Sequence, residues 1–303
     1  MKTTFEWKGV FPAVTTKFTT DNQLDIDTFL VNINAQLEAG VNGIVLGGTL
    51  GEASTLRAEE KVQLLKTTVE YVSGRVPVIL NIAEQSTEGA ILAAKSAKEN
   101  GADGLMVLPP MRYKADDRET LEYIKAIAKS TDLPIMLYNN PVDYNIEITI
   151  DMFRELLPFE NIQAVKESTR DISNVTRMRN EFGDRFKILC GVDTLAMEEL
   201  VMGADGWVAG LVCAFPRETV TIYKLVNANR YDEARAIYRW FLPLLELDIH
   251  PKLVHYIKLA EKATGIGTEY VRAPRLPLLP EEKAKIEGII SRGLETRPNL
   301  PTV

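Results

Sequence analysis

Eight short apolar runs recur along this chain, separated by longer stretches in which apolar residues follow a helical period. Such alternation restricts a chain to repeated βα units built around a parallel sheet. The runs are GVFPAVTTKF from Gly9, GIVLGG from Gly43, PVILNIA from Pro77, GLMVLPP from Gly104, PIMLYNN from Pro134, IQAVKES from Ile162, KILCGVD from Lys187 and GWVAGLV from Gly206. Helix boundaries lie between them: Asp25 is placed to cap IDTFLVNINAQLEA and Gly40 to close it. Eight units in 303 residues fit a closed (β/α)8 TIM barrel of the α/β class better than an open sheet. The barrel is assigned to residues 1–215. The remainder, 216–303, reads as a C-terminal appendage of three helices, since a barrel of roughly 200–250 residues is complete before it.

Charge narrows the partners. A net charge of -7 argues against general affinity for nucleic acid or anionic membranes, which needs clustered positive charge, so the expected partner is a small molecule. MKTTFEWKGV has no secretory apolar region, and no segment approaches the roughly 20 apolar residues of a membrane span, so a cytoplasmic location is expected. Cys190 and Cys213 lie in apolar runs, which predicts buried free thiols rather than a disulfide or metal site. With only His250 and His255 available, a histidine-centred triad or His-rich metal site is disfavoured, and no metal is expected.

In such a barrel the reactive groups sit at the carboxyl ends of the strands. Those positions offer Thr15, Thr16, Thr49, Glu52, Asn81, Tyr138, Asn139, Lys166, Glu167 and Asp193. Lys166 is the most unusual, because IQAVKES sets an amine in a strand expected to face the barrel interior. Desolvation there disfavours the ammonium form and leaves a nucleophile able to form an imine with a carbonyl carbon, although a buried lysine can equally snorkel to water or pair with a carboxylate. Tyr138, one strand earlier, is a phenol within reach of the same space for proton transfer, or else a packed aromatic. The turn Gly47-Gly48-Thr49-Leu50-Gly51-Glu52 is either a plain connection or an amide nest for a carboxylate.

Together, GTLGE after the second run, YNNP after the fifth and KE on the sixth form an ordered constellation that resembles the dihydrodipicolinate synthase and N-acetylneuraminate lyase family of class I lyases. The likeness runs from Gly9 to about Ile290 and takes in FPAVTTKF and GVD. It implies that Lys166 carries the Schiff base, Tyr138 moves the proton and Gly48, Thr49 and Leu50 cradle the carboxylate of a 2-oxo acid. Gly191 and Ala209, at the ends of the seventh and eighth runs, join the expected substrate-binding set. The family needs no cofactor beyond the covalent imine, and the resemblance implies a homo-oligomer, a tetramer or dimer.

Three departures bear on the substrate. Leu50 stands where the synthases carry a second cradle threonine, and Met111 where they have a second tyrosine, with Tyr113 as a conceivable substitute. Asp143 stands where they place an arginine for the aldehyde substrate's carboxylate, so an anionic tail is disfavoured and a hydroxyl or amine favoured, unless Asp143 is only a solvent-facing turn residue. PPMRYK, HPKLVHYIK and VRAPRLPL are similar to the 1-pyrroline-4-hydroxy-2-carboxylate deaminases of hydroxyproline catabolism. A 2-oxo-acid dehydratase or aldolase, the 4-hydroxy-tetrahydrodipicolinate synthase reaction and a non-catalytic metabolite-binding barrel are the alternatives. Arg112, Arg272 and Arg275 are read as surface residues by default, with reaching a substrate carboxylate from a loop as the alternative for any of them.

Overall fold

All eight apolar runs form strands, and the strands are shorter than the runs. The protein, described here from a computed structural model over residues 5–303, has β1 at Gly9–Pro12, β2 at Ile44–Leu46, β3 at Val78–Ile82 and β4 at Gly104–Val107. They are followed by β5 at Ile135–Asn139, β6 at Ile162–Glu167, β7 at Lys187–Cys190 and β8 at Gly206–Ala209. Every pairing is parallel, in the order β1-β8-β7-β6-β5-β4-β3-β2. A bridge between Ala13 and Val45 and the bond from the Val14 amide to the Val45 carbonyl (3.0 Å) join β1 to β2 and close the barrel. The polar ends of the runs leave the ladder and turn into the loops above it, the side on which barrel chemistry is built.

The helices are α1 (Ile26–Ala39), α2 (Ala58–Val72), α3 (Thr87–Glu99), α4 (Asp117–Ser130), the single turn α5 (Pro141–Tyr144), α6 (Ile150–Leu156), α7 (Ser173–Phe182) and α8 (Ala196–Val201). After β8 come α9 (Pro216–Asn227), α10 (Tyr231–Leu245), α11 (Leu253–Ala263) and α12 (Pro280–Glu295). The expected caps are present: the Asp25 carboxylate accepts the Thr28 amide, and Gly40 ends α1 at φ 84°, a conformation that costs a residue with a Cβ.

Four helices therefore follow β8, where three were expected from Pro216 onward. The first, α9, packs on β1, β8, α1 and α8 and completes the outer ring, so the three-helix appendage begins at Tyr231. PRETVTIYKLVN falls in the expected appendage because a barrel of roughly 200–250 residues is expected to be complete before it, and nothing in its composition marks it as a ring helix.

The appendage is tied to the loops above the strands by buried ion pairs. Lys17 Nζ lies 2.9 Å from Glu261 of α11, and Lys258 of the same helix pairs with Glu52, all four side chains fully buried. Glu261 also accepts the Thr15 hydroxyl at 2.7 Å. Both cysteines are buried and free.

Candidate active site

The glycine turn after β2 is pinned at three points. Asn81 Nδ2 donates to the Gly47 carbonyl (2.9 Å), and the Thr16 hydroxyl to the Gly51 carbonyl (2.7 Å). Glu52, held at φ 55°, receives Lys258 and the Arg272 amide (3.1 Å). Gly51 packs closely on the same turn: a Cβ there would lie 3.1 Å from the Gly47 amide nitrogen, so a larger residue would push the turn open by a few tenths of an ångström. No acceptor among the described residues takes the amides of Gly48, Thr49 or Leu50, so the turn presents unpaired donors of the kind that bind a carboxylate.

Lys166 stands at the end of β6 beside Tyr138 of β5, its partner in the strand register. Its Nζ lies 4.1 Å from the centroid of the Tyr138 ring. Three lysines are buried among the described residues, Lys17, Lys166 and Lys258, and only Lys166 lacks a carboxylate within ion-pairing distance. Burial pushes its pKa down, against a weaker upward pull from Tyr144, Asp248 and Asp193. Gly191 makes room for it: a Cβ there would lie 2.7 Å from Lys166 Cε and 2.1 Å from Ser168 Oγ.

These groups line a cavity of about 80 Å³ that also takes in Gly48, Thr49, Leu50, Asn81 and Asp143. Among the lining residues that sequence reasoning did not single out are Tyr144, Arg170 and Asp248. The Tyr144 and Thr49 hydroxyls lie 2.7 Å apart. Tyr138 accepts from Asn140 Nδ2 at 3.1 Å, and burial drives its pKa up to about 12. Burial raises Tyr144 further. Asp143 accepts from Asn140 Nδ2 (2.7 Å) and sits 3.6 Å from Arg170. Its charge is thus shared before any substrate arrives.

The remaining candidates lie apart. Ala209 is buried but does not line the cavity; Val208 and Gly210 do, because successive strand residues face opposite sides. Met111 borders a wider outer cleft of about 660 Å³ that shares Gly48, Thr49, Asn81 and Tyr144 with the inner cavity. Tyr113 is 56% exposed and lines neither space. Arg112 and Arg275 border the outer cleft. Arg272 is no surface residue: it stacks on Phe18 and is bound to Glu60 at 2.8 Å, bracing the loops.

Asp193 holds the turn after β8, accepting from the Trp207 indole (2.8 Å) and the Leu211 amide (2.7 Å). Among the described residues no group of three or more His, Cys, Asp or Glu side chains is arranged for a metal ion, and no helix is long and apolar enough to cross a membrane.

A desolvated, unpaired lysine amine at the mouth of a (β/α)8 barrel, flanked by hydroxyls and open amides, defines a class I lyase, an enzyme that works through an imine on lysine. Comparison with known proteins carries this further. The chain belongs to the dihydrodipicolinate synthetase family, whose pattern it matches over residues 6–292. It is 34% identical over 281 residues to a 4-hydroxy-tetrahydrodipicolinate synthase of Exiguobacterium sibiricum, covering 92% of this chain and 94% of that one. The enzyme of the same name from Methanothrix thermoacetophila is 30% identical over 290 residues, covering 94% and 97%. Among solved structures, the chain resembles a dihydrodipicolinate synthase of Bacillus anthracis, with a TM-score of 0.92 and 28% identity over 98% of this chain and 100% of that one. The 4-hydroxy-tetrahydrodipicolinate synthase of Methylacidiphilum fumariolicum gives 0.91 and 30% over 96% and 97%.

Proposed function

We propose that Lys166 forms an imine with a small 2-oxo acid or cyclic imino acid, and that the reaction is the deamination of 1-pyrroline-4-hydroxy-2-carboxylate to 2,5-dioxopentanoate. The observation that carries the imine is the contrast between Lys166 and the two ion-paired buried lysines: an amine without a counter-charge, desolvated, is free to act as a nucleophile. In this reading the substrate carboxylate takes the open amides of Gly48, Thr49 and Leu50. The Tyr138 phenol and the Thr49–Tyr144 hydroxyl pair move protons to and from the carbinolamine and the leaving group.

Lys166 displaces the ring nitrogen by transimination and opens the ring. Loss of the 4-hydroxyl as water, release of ammonia and hydrolysis of the imine follow, so that the ring imine and one net water give the dioxo acid and ammonia. What supports this substrate over the synthases' is the side chain after YNNP, Asp143 in place of an arginine. Its proposed role is to receive the released amine together with the Asn140 amide.

A second reading is the pyruvate condensation for which the relatives are named, and Arg170 is the observation in its favour. Its guanidinium lies on the cavity wall beside Asp143, a cation within reach of an anionic aldehyde's tail although it comes from the loop after β6. A coupled assay separates the two. Turnover of 1-pyrroline-4-hydroxy-2-carboxylate to 2,5-dioxopentanoate and ammonia that vanishes in Lys166→Ala upholds the deaminase; activity on pyruvate plus aspartate semialdehyde alone replaces it with the synthase. A cytoplasmic location and a homo-oligomer, tetramer or dimer, belong to the same proposal.

A further inference from the structure

The cavity is not built by the barrel alone. Between α10 and α11 the chain dips towards the strand ends, and Asp248 and Ile249 of this segment, with Leu253 at the start of α11, line the same space as Lys166 and Tyr138. Asp248 is half-buried as a residue, yet its Oδ1 is sealed from solvent and has no hydrogen-bond partner. A buried carboxyl oxygen left unpaired is costly, and a fold that keeps one in a ligand cavity gains from a donor that arrives with the ligand.

The barrel accommodates this carboxyl specifically. Gly210, at the end of β8, sits beneath it: a Cβ at Gly210 would lie 2.1 Å from Asp248 Oδ1 and 2.7 Å from its Cγ. The Gly210 amide is turned the other way, to Asp193 (3.1 Å), and cannot satisfy Asp248. Asp193, the other acid near Lys166, spends its oxygens on Trp207, Gly210 and Leu211, and Asp143 has Asn140 and Arg170. Of the three acids lining or underlying the cavity, Asp248 is the one with an oxygen left for a ligand.

We infer that Asp248 is a specificity-determining residue that selects 2-oxo acids carrying a hydroxyl on the tail, by hydrogen-bonding that hydroxyl while the carbonyl carbon is held at Lys166. The inference rests on the Lys166 imine. Burial and the neighbouring acids push the Asp248 pKa up, and Lys166 opposes this. The carboxyl is therefore able both to donate to the hydroxyl oxygen and to accept its proton. A site built to bond a hydroxyl rejects the analogue that lacks it far more strongly than an apolar pocket rejects an added one.

The test is borohydride trapping on the intact chain, scored by mass at Lys166, with 4-hydroxy-2-oxopentanoate against 2-oxopentanoate. The wild type is expected to half-saturate with the hydroxy acid at about tenfold lower concentration. In Asp248→Ala that ratio falls below about threefold, and in Gly210→Ala, whose methyl displaces the carboxyl, it falls likewise. The melting temperature of Asp248→Ala stays level or rises, because no internal hydrogen bond of Oδ1 is lost. A wild-type ratio near one, or a ratio that survives Asp248→Ala, overturns the inference. If neither acid is trapped, the imine itself fails. Asp248 is then judged by thermal shift: stabilisation by the hydroxy acid that Asp248→Ala abolishes upholds its role, and none overturns it.

Discussion

The Thr49 and Tyr144 hydroxyls, from the β2 turn and the one-turn helix after β5, meet at 2.7 Å in the wall between the inner cavity and the outer cleft. Tyr144 also packs edge-on against Tyr138, ring centroids 5.6 Å apart, so one chain supplies two phenols and a threonine in sequence. If the pair relays a proton, Tyr144→Phe keeps the ring packing and loses only the relay. The expected outcome is a fall in kcat of about 100-fold with borohydride trapping at Lys166 retained. Thr49→Val is expected to do the same, and the double variant to be no worse than either single one. Losses that multiply in the double variant would mean that the two hydroxyls act separately.

A lysine that works as a neutral amine sets the pH profile. Burial lowers the Lys166 pKa from its usual 10.5, so the rate of imine formation should rise with pH and level off below that value. Lys166→Ala should abolish both trapping and turnover while leaving cooperative unfolding intact. A trapping rate still climbing steeply at pH 10 would show an ordinary, solvated amine.

The contrast between what the sequence revealed and what it hid follows from where each residue stands. Lys166 and Tyr138 were legible because a polar group ending an apolar run has few structural reasons to be there. Gly191 was chosen for its place on the seventh run, and its cause, the lysine crossing over it, is visible only in three dimensions. Tyr144 and Arg170 each follow a recognised motif by a few residues, but turns carry polar residues for many reasons. Asp248 gave no signal, since it closes the helical stretch YDEARAIYRWFLPLLELD as an ordinary polar end, and only the fold returns it to the strand ends. Tyr113 stands exposed in the loop after β4, and a two-residue offset within a loop does not translate into a position by sequence alone.

The ion pair between Lys258 and Glu52 fastens the appendage to the carboxylate cradle, so it should report on stability and on binding together. Lys258→Met leaves Glu52 buried with the Arg272 amide at 3.1 Å and the Arg275 guanidinium at 3.6 Å as its remaining partners. Stripping one member from a buried pair costs roughly 3–5 kcal/mol, and denaturant melts should show a loss of that order. Half-saturation by substrate should rise as well, because Glu52 closes the turn that holds Thr49 and Leu50. Combining Lys258→Met with Glu52→Gln should restore part of the stability, since the unpaired charge is gone. A double variant as unstable as the sum of the singles would instead assign the loss to packing.

Glu199 of α8, which does not line the cavity, supplies a separate pH test. It is fully buried, the Cys190 thiol beside it is too poorly placed to make a well-formed hydrogen bond to either carboxyl oxygen and pulls only weakly downward, and burial together with the Glu167 carboxylate pushes its pKa from 4.5 up to about 8. Because the folded state holds this proton more tightly than the unfolded chain, stability is greatest below the unfolded pKa and declines as pH rises from about 4.5 to about 8. Glu199→Gln cannot ionise, so its stability relative to the wild type should improve across that window and then level off. By pH 7 the gain should reach roughly 3.4 kcal/mol at most, at about 1.4 kcal/mol per pH unit. Urea melts at pH 5, 7 and 8.5 measure it directly. Parallel stability curves for the two proteins would place a partner or a water on that carboxyl and remove the buried acid from the account of the fold's pH dependence.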